Sequence, residues 1–413
     1  MSSKTADERR WRSDLVSVFR ECLLRLNLGE HLRARLRKPS DPDTRLVAIG
    51  KAAAEMVEAF GSARGVAACS SEPRSRMLGV QYFVGGHPYP NAQSFTAGTA
   101  ALELLSGCNE QTHVLFLLSG GGSAVFEKPL FPDITLDDCV AFNRLLVTCG
   151  ANIYEMNVLR KHFSAVKGGR LAAAAAPARQ STYYVSDVPS GKSSTVASGP
   201  TMPDESTVAE CREIVERYGL AGKFPASYQS RLVALPETPK PGEAAFRKSR
   251  YVSVLSNEDA IAAAVDVAKS RGWTAECDTS SDDWPLDRAA DHLLERLRSI
   301  PKRPACLVSG GELSCPVTGE GQGGRNQAFV LYCAQRIAGE RIAVLSAGTD
   351  GIDGNSPAAG AVADGDTLAR SQHNAQLSYQ QSDSYTYFAA LGDTVMTGPT
   401  GNNVRDLRLL LAY

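Results

Sequence analysis

Arg45-Leu-Val-Ala-Ile-Gly50 runs directly into Lys51-Ala-Ala-Ala-Glu-Met-Val-Glu-Ala-Phe60, and this join decides the fold. The first half is apolar without alternation, as a strand covered on both faces must be. The second half is made of strong helix formers. A glycine between them lets the chain turn sharply from strand to helix. The same order returns three times. His113-Val-Leu-Phe-Leu-Leu118 enters Ser119-Gly-Gly-Gly-Ser-Ala124, and Ala305-Cys-Leu-Val308 enters Ser309-Gly-Gly-Glu312. Ile342-Ala-Val-Leu345 enters Ser346-Ala-Gly-Thr-Asp-Gly-Ile-Asp-Gly354. Such strands, alternating with helical stretches, predict an α/β protein with two domains, each a mostly parallel sheet flanked by helices. In these folds ligands sit beyond the carboxyl ends of strands, where all four glycine-containing loops fall.

Pro236-Glu-Thr-Pro-Lys-Pro-Gly-Glu243 reads as a linker, being rich in proline and glycine between two patterned regions. Arg250-Tyr-Val-Ser-Val-Leu-Ser256 then restarts a strand, and an alanine-rich helix follows from Glu258 to Arg271, ended by Gly272. The expected domains are therefore 1–236 and 245–413, with the boundary near 240 and the active site in the cleft between them. Residues 8–35 carry Leu, Val and Phe among charges at helical spacing.

The 413 residues are 43% hydrophobic and 22% charged, with a formal net charge of −1. No global field would hold nucleic acid or an anionic membrane, so anion binding must be local. Ten cysteines are scattered without a C-x-x-C pair or zinc spacing, which suits reduced thiols. The charged N-terminus lacks the apolar stretch of a secretory signal. No uninterrupted apolar run reaches about 18 residues, so no membrane span is expected. A cytoplasmic protein is the expectation.

Candidate chemistry clusters at the glycine loops. Gly50-Lys51 sits where a helix N-terminus and a lysine could meet a phosphate together. Ser119, Gly120, Gly121, Gly122 and Ser123 can form a backbone anion nest. Arg160, Ser164 and Lys167 share one face if a helix continues through them, with Leu159, Phe163 and Val166 on another. Ser186-Asp-Val-Pro-Ser-Gly-Lys-Ser193 nearly matches a phosphate-binding P-loop, but Ser186 replaces its first glycine. Glycine and prolines also follow where a P-loop needs a helix. The match is read as accidental, and Asp187 stands as a candidate base or metal ligand. Gly319-Glu-Gly-Gln-Gly-Gly324 matches the dinucleotide fingerprint, yet Pro316 interrupts the segment before it. Asp350 also lies farther on than the roughly 20 residues the fingerprint uses. Gly323-Gly-Arg-Asn-Gln327 combines glycines before a helix with a planar permanent cation, a reading that favours an anionic group. Asp350 and Asp353 offer two carboxylates in a glycine-rich loop, suited to Mg²⁺ held partly through water or to a turn. His87, in Gly85-Gly-His-Pro-Tyr-Pro90, reads as part of a rigid turn.

Taken in order, these blocks resemble the glycerate 2-kinase family whose C-terminal part is called MOFRL. Beside those already quoted, the resemblance rests on Val158-Leu-Arg-Lys-His162, Lys167-Gly-Gly-Arg-Leu171, Ala197-Ser-Gly-Pro-Thr201, Asp383-Ser-Tyr385 and Thr397-Gly-Pro-Thr-Gly401. It spans nearly the whole chain. It implies a larger, Rossmann-like N-terminal domain and a smaller C-terminal domain, with the MOFRL region at about 303–410. It implies ATP-dependent, Mg²⁺-requiring phosphorylation of D-glycerate, or a close 2-hydroxy acid, to 2-phosphoglycerate.

By motif, Lys51, Asp187 and Arg325 would be catalytic. Gly50, Ser309, Gly310, Gly311, Glu312, Asn326, Gly348, Thr349, Thr397 and Gly398 would bind the nucleotide. Ser119 to Ser123, Arg160 and Lys167 would bind the substrate, and Asp187, Asp350 and Asp353 the metal. The expected partners are ATP and a small hydroxy acid, with no nucleic acid or membrane, and a homodimer is open. The chain departs from the family pattern at Ser190-Gly-Lys-Ser-Ser194, at Asn355-Ser356-Pro357 and at Ala328, where acidic residues are usual. The competing readings are a nicotinamide-dependent hydroxypyruvate reductase and a non-catalytic nucleotide-binding member.

Overall fold

The computed structural model describes residues 3–37, 43–186, 188 and 193–413. Two compact units emerge, one of residues 28–254 and one of residues 1–27 with 255–413. This division differs from a boundary near 240. The strand after the proline-rich linker joins the first sheet, and the N-terminal helix belongs with the C-terminal half.

In the unit of residues 28–254, β1 (Thr44–Ile49), β2 (Arg64–Cys69), β3 (Val80–Val84), β4 (His113–Leu118), β5 (Arg179–Val185) and β6 (Ser249–Leu255) form one sheet. Its order is β3-β2-β1-β4-β5-β6. Strands β1 to β5 pair in parallel throughout. Every residue of β4 is buried, and all of β1 after Thr44, which explains their unbroken apolar runs. Val47, Ile49, Phe116 and Leu118 pack with Ala97, Ala101 and Leu105 of helix Ala92–Ser106. A second apolar cluster forms around Phe142, Phe163, Phe224 and Tyr228, whose rings meet stacked, tilted or edge to face.

In the other unit, β7 (Thr274–Cys277), β8 (Ala305–Gly310), β9 (Ile342–Gly348), β10 (Gly360–Asp364), β11 (Thr394–Val395) and β12 (Asp406–Ala412) form a sheet ordered β11-β10-β9-β12-β8-β7. Four strands, β7, β8, β9 and β11, run the same way, but only β7 and β8 among them are neighbours, so this second sheet is not the mostly parallel one expected. Strands β10 and β12 interleave against them, so most neighbouring pairs are antiparallel. The physical reason is connectivity. The chain returns at its C-terminal end to fill the gap between β8 and β9, and Leu407 to Ala412 are buried there. Helix Ser3–Arg25 packs on this unit through Leu15, Val18, Phe19 and Cys22, all fully buried. Trp11 stacks on Tyr413 at 4.9 Å, and the Arg12 guanidinium pairs with Asp364 and Asp393. No helix among the described residues is long and apolar enough to cross a membrane.

Candidate active site

In the first sheet the strand order reverses between β1 and β4, and ligands of such sheets bind at the carboxyl ends flanking that reversal. The loops Gly50-Lys51 and Ser119–Ser123 leave the sheet there. Gly50 adopts φ +118°, and a side chain on it would collide with the Ser119 backbone and hydroxyl, so the turn needs glycine. The donors of the turn are used inside the chain. Gly50 N donates to Ala68 O at 3.0 Å, Lys51 N to Gly120 O at 2.9 Å and Ala52 N to Ser119 Oγ at 3.0 Å. The expected phosphate site at this helix N-terminus therefore has its nearest backbone donors occupied. What remains is the exposed Lys51 ammonium, which pairs with no group among the described residues.

The Ser119–Ser123 loop divides into anchors and free donors. Ser119 is 2% exposed and its hydroxyl bridges Ala52 N and Ile49 O, so it holds the loop rather than facing a ligand. Ser123 Oγ lies 2.6 Å from Ser198 Oγ, which in turn donates to Asn157 Oδ1 at 2.9 Å. Between these anchors, the N–H groups of Gly120 and Gly121 donate to nothing among the described residues. Gly121 has φ +76°, the left-handed turn that aims successive N–H groups outward. Asp187 lies outside the described residues. The segment after the P-loop-like stretch is a broken 3₁₀ turn, Ser193–Ser198, with Ala197 at φ 51°.

The basic face expected across Arg160, Ser164 and Lys167 is absent. Helix Ile153–Phe163 stops before it, and Ser164 is extended at φ −107° and ψ 139°. Ser164 and Lys167 instead turn inward onto Glu127, with Lys167 1% exposed and also bonded to Phe126 O. Lys167 is thus half of a buried ion pair. Arg160 Nε donates to Asn143 Oδ1 at 3.0 Å, and burial holds its guanidinium below the ordinary value.

In the other unit, Gly323-Gly-Arg-Asn-Gln327 does lead into a helix, Arg325–Arg336. Its N-terminus already holds an anion. Asp353, 2% exposed, accepts from Asn326 N and Nδ2 on one oxygen and from Gln327 N and Nε2 on the other, at 2.8 to 3.3 Å. Burial pushes the Asp353 carboxyl up to about 6 even against these bonds. With four bonds from the helix start, this carboxylate does not fit a metal ligand. Asp350 fits better, since among the described residues its carboxylate accepts one bond, from Ile352 N to Oδ1 at 3.1 Å. Among the described residues no three His, Cys, Asp or Glu side chains gather as a metal cluster would.

Arg325 is positioned by Glu312, which the motif reading gave to the nucleotide, and by Asp406, which sequence reading passed over. Its Nε donates to Asp406 Oδ2 at 2.5 Å, and Nη2 lies 3.0 Å from Glu312 Oε1. Burial alone would depress its pKa, but Asp406 and Glu312 outweigh burial and hold it above the ordinary arginine range. The signal for Asp406 was present: a charged pair, Arg405-Asp406, opens a run that is apolar except for Arg408. Arg405 and Asp282 pair at 2.6 and 2.8 Å beside Gly311, and the buried Arg408 guanidinium grips the Gly310 and Gly311 carbonyls. Of the predicted nucleotide residues, Ser309, Asn326 and Thr349 are spent on internal bonds. Ser309 Oγ faces Ser281 Oγ, Asn326 Oδ1 accepts from Ser346 Oγ at 2.6 Å, and Thr349 Oγ1 donates to Arg405 O at 2.7 Å. Gly348 ends β9, buried, and Thr397 bonds to its neighbour Gly398, both partly exposed.

A cavity of about 900 Å³ opens beside Arg325, walled by Leu286, Leu313, Cys315, Ala328 and Tyr379, with Asp350 on its lining. The fingerprint glycines border it differently from a dinucleotide turn. They lie well past the end of β8, and side chains at Gly319 or Gly321 would run into Gln381 and Asp383. Asn355, at the first departure after Asp353-Gly354, accepts from Gly323 N at 2.8 Å and donates to Gly321 O at 3.2 Å. A carboxylate there could not make the second bond.

Residues 14–233 match the model of a domain of unknown function, DUF4147, and residues 305–406 match the MOFRL family. A D-glycerate 2-kinase of Thermotoga maritima is 35% identical over 380 residues, covering 88% of this chain and 89% of that one. A protein of Agrobacterium vitis named for hydroxypyruvate reductase is 38% identical over 342 residues, covering 80% of this chain and 77% of that one. The crystal structure of a glycerate kinase from Thermotoga maritima superposes with a TM-score of 0.85 at 31% identity, covering 98% of this chain and all of that one.

Proposed function

The chain belongs to the glycerate kinase family that joins a DUF4147 region to a MOFRL region, and from that premise we propose that it transfers the γ-phosphoryl group of ATP to the 2-hydroxyl of D-glycerate. The hydroxyl oxygen attacks phosphorus, the bond to the β–γ bridging oxygen breaks, and ADP and 2-phosphoglycerate leave. The observation that carries the reading is that Lys51 and the N–H groups of Gly120 and Gly121 find no partner among the described residues, at the reversal point of a parallel sheet. Phosphoryl transfer asks the protein mainly for positioning and charge neutralisation. Lys51 and the two N–H groups are suited to the charge that develops on the transferring group.

Arg325, a permanent cation held in place by Asp406 and Glu312, suits a phosphate oxygen on the nucleotide side. The apolar cavity beside it has a volume in the range of small-molecule sites. Asp187 is the proposed acceptor of the hydroxyl proton. Mg²⁺ would supply charge neutralisation at the transferred phosphoryl group, and Asp350 is the described carboxylate that would hold it.

The reductase reading draws on the Agrobacterium name and on Gly319–Gly324. Glycines whose bare faces are covered by Gln381 and Asp383 argue against a dinucleotide turn there. The deciding experiment supplies ATP, Mg²⁺ and D-glycerate and follows the product by ³¹P spectroscopy. The expected result is 2-phosphoglycerate, with kcat falling about 10²–10³-fold in Lys51→Ala, the usual cost of one charge-stabilising donor. Absence of turnover with any of a panel of hydroxy acids, or full activity in Lys51→Ala, overturns the reading. NADH-dependent reduction of hydroxypyruvate establishes the rival.

A further inference from the structure

Around Gly121 four polar groups find no partner among the described residues: the Lys51 ammonium, the His87 imidazole and the N–H groups of Gly120 and Gly121. They come from three separate loops, following β1, β3 and β4. Gly120 is buried, and a buried N–H without an acceptor is unfavourable, so a ligand that accepts from it offsets that cost. The two side chains lie against the bare face of Gly121. A methyl group added there would sit 3.0 Å from Lys51 Cγ, 3.2 Å from Lys51 Cε and 3.4 Å from His87 Cδ2. Glycine at this position therefore makes room for the pair to converge.

We propose that His87 contacts the substrate directly, closing with Lys51, Gly120 N and Gly121 N around one oxyanion. The inference rests on the kinase reading above and adds His87 to its site. The oxyanion is either the carboxylate of the hydroxy acid or the transferring phosphoryl group. A neutral imidazole suits the position because it donates one N–H without setting a second full charge beside Lys51. Burial and the nearby Lys51 charge both hold His87 below the ordinary histidine value, and the Ser119–Ser123 loop packed against it carries no titratable side chain. By linkage, an anion bound between Lys51 and His87 offsets the Lys51 charge and raises the His87 pKa. The same anion would supply the acceptors that Gly120 and Gly121 lack.

The experiment uses the full chain and follows its six histidines by ¹H–¹⁵N spectroscopy, with the His87 resonance assigned by its loss in His87→Gln. His87 should titrate below the ordinary histidine value, and Lys51→Met should move it up. D-glycerate alone and a non-hydrolysable ATP analogue with Mg²⁺ are then added separately. A rise in the His87 midpoint with D-glycerate identifies the carboxylate, and a rise with the ATP analogue identifies the phosphoryl group. Steady-state rates give the second readout. His87→Ala should raise the KM of that same ligand about 10–100-fold, the size of one hydrogen bond to a charged group, and His87→Gln should restore part of it. The proposal fails if neither ligand moves the His87 resonance and His87→Ala leaves both KM values within about twofold. Should the wild type transfer no phosphoryl group to D-glycerate, the kinase reading falls, and the resonance alone then decides the pocket: a ligand-induced rise supports it and its absence overturns it.

Discussion

At the scale of single residues, charge type in the sequence does not reveal whether a cation serves a ligand or the core. Lys51 and Lys167 both stand in glycine-rich motifs, yet one is exposed with no partner among the described residues and the other is buried against Glu127. Removing one partner of a buried pair strands the other charge, so Lys167→Met should lose about 3–5 kcal/mol of stability in urea titrations. The KM for the hydroxy acid should stay unchanged in the folded fraction; a tenfold rise with intact stability would restore Lys167 to the substrate site.

Asp204 offers a pH test of the same kind. Burial would raise its carboxyl, but Lys161 at 3.0 Å and the hydroxyls of Ser206 and Thr238 outweigh burial and hold it below the ordinary value. A depressed carboxyl contributes stability that is full above the unfolded value of about 3.9 and is lost as pH falls through the folded one. Asp204→Asn should therefore flatten the fall in stability below about pH 4, measured as unfolding midpoints from pH 7 to 3, and an unchanged slope would rule out this role.

At the scale of elements, the helix that begins at Arg325 is organised by a carboxylate from another loop. Asp353 satisfies the Asn326 and Gln327 N–H groups that a helix start leaves free, and Arg325 stands one residue before them. Asp353→Ala should cost about 1–2 kcal/mol as a lost cap, read from the thermal or denaturant midpoint. It should also lower kcat through a displaced Arg325. Retained stability with lost metal dependence would instead make Asp353 a ligand. The glycines before this helix invited a phosphate-binding reading because free N–H groups attract anions. That physics holds, but the anion is part of the chain.

At the scale of the whole molecule, the units are not the sequence halves. Residues 28–254 contain a complete six-stranded sheet and form a continuous segment. The other unit needs helix Ser3–Arg25, which places Leu15, Val18, Phe19 and Cys22 in its interior and donates from Cys22 Sγ to Ala260 O. Burying four such side chains is worth several kcal/mol at about 1.5–3 kcal/mol each. A fragment of 28–254 should therefore unfold cooperatively by itself, while 255–413 should do so only when residues 1–27 are supplied as a peptide or a fusion. Cooperative unfolding of 255–413 alone, seen by calorimetry, would contradict this.

Local pattern was enough for the α/β class, because strands covered on both faces must be apolar throughout and helix formers between them must cross over. It was also enough to bring Gly50-Lys51 and the Ser119–Ser123 loop to the ends of β1 and β4. The motif series was enough for the family. What the sequence could not supply was partnership at long range. Asp353 under the helix start, Asp406 and Glu312 around Arg325, Glu127 beneath Lys167, and β12 filed between β8 and β9 all join residues far apart in the chain. Side-chain periodicity and motif spacing act over a few residues, whereas a buried charge or an open strand edge is satisfied by whichever group the tertiary fold brings within bonding distance.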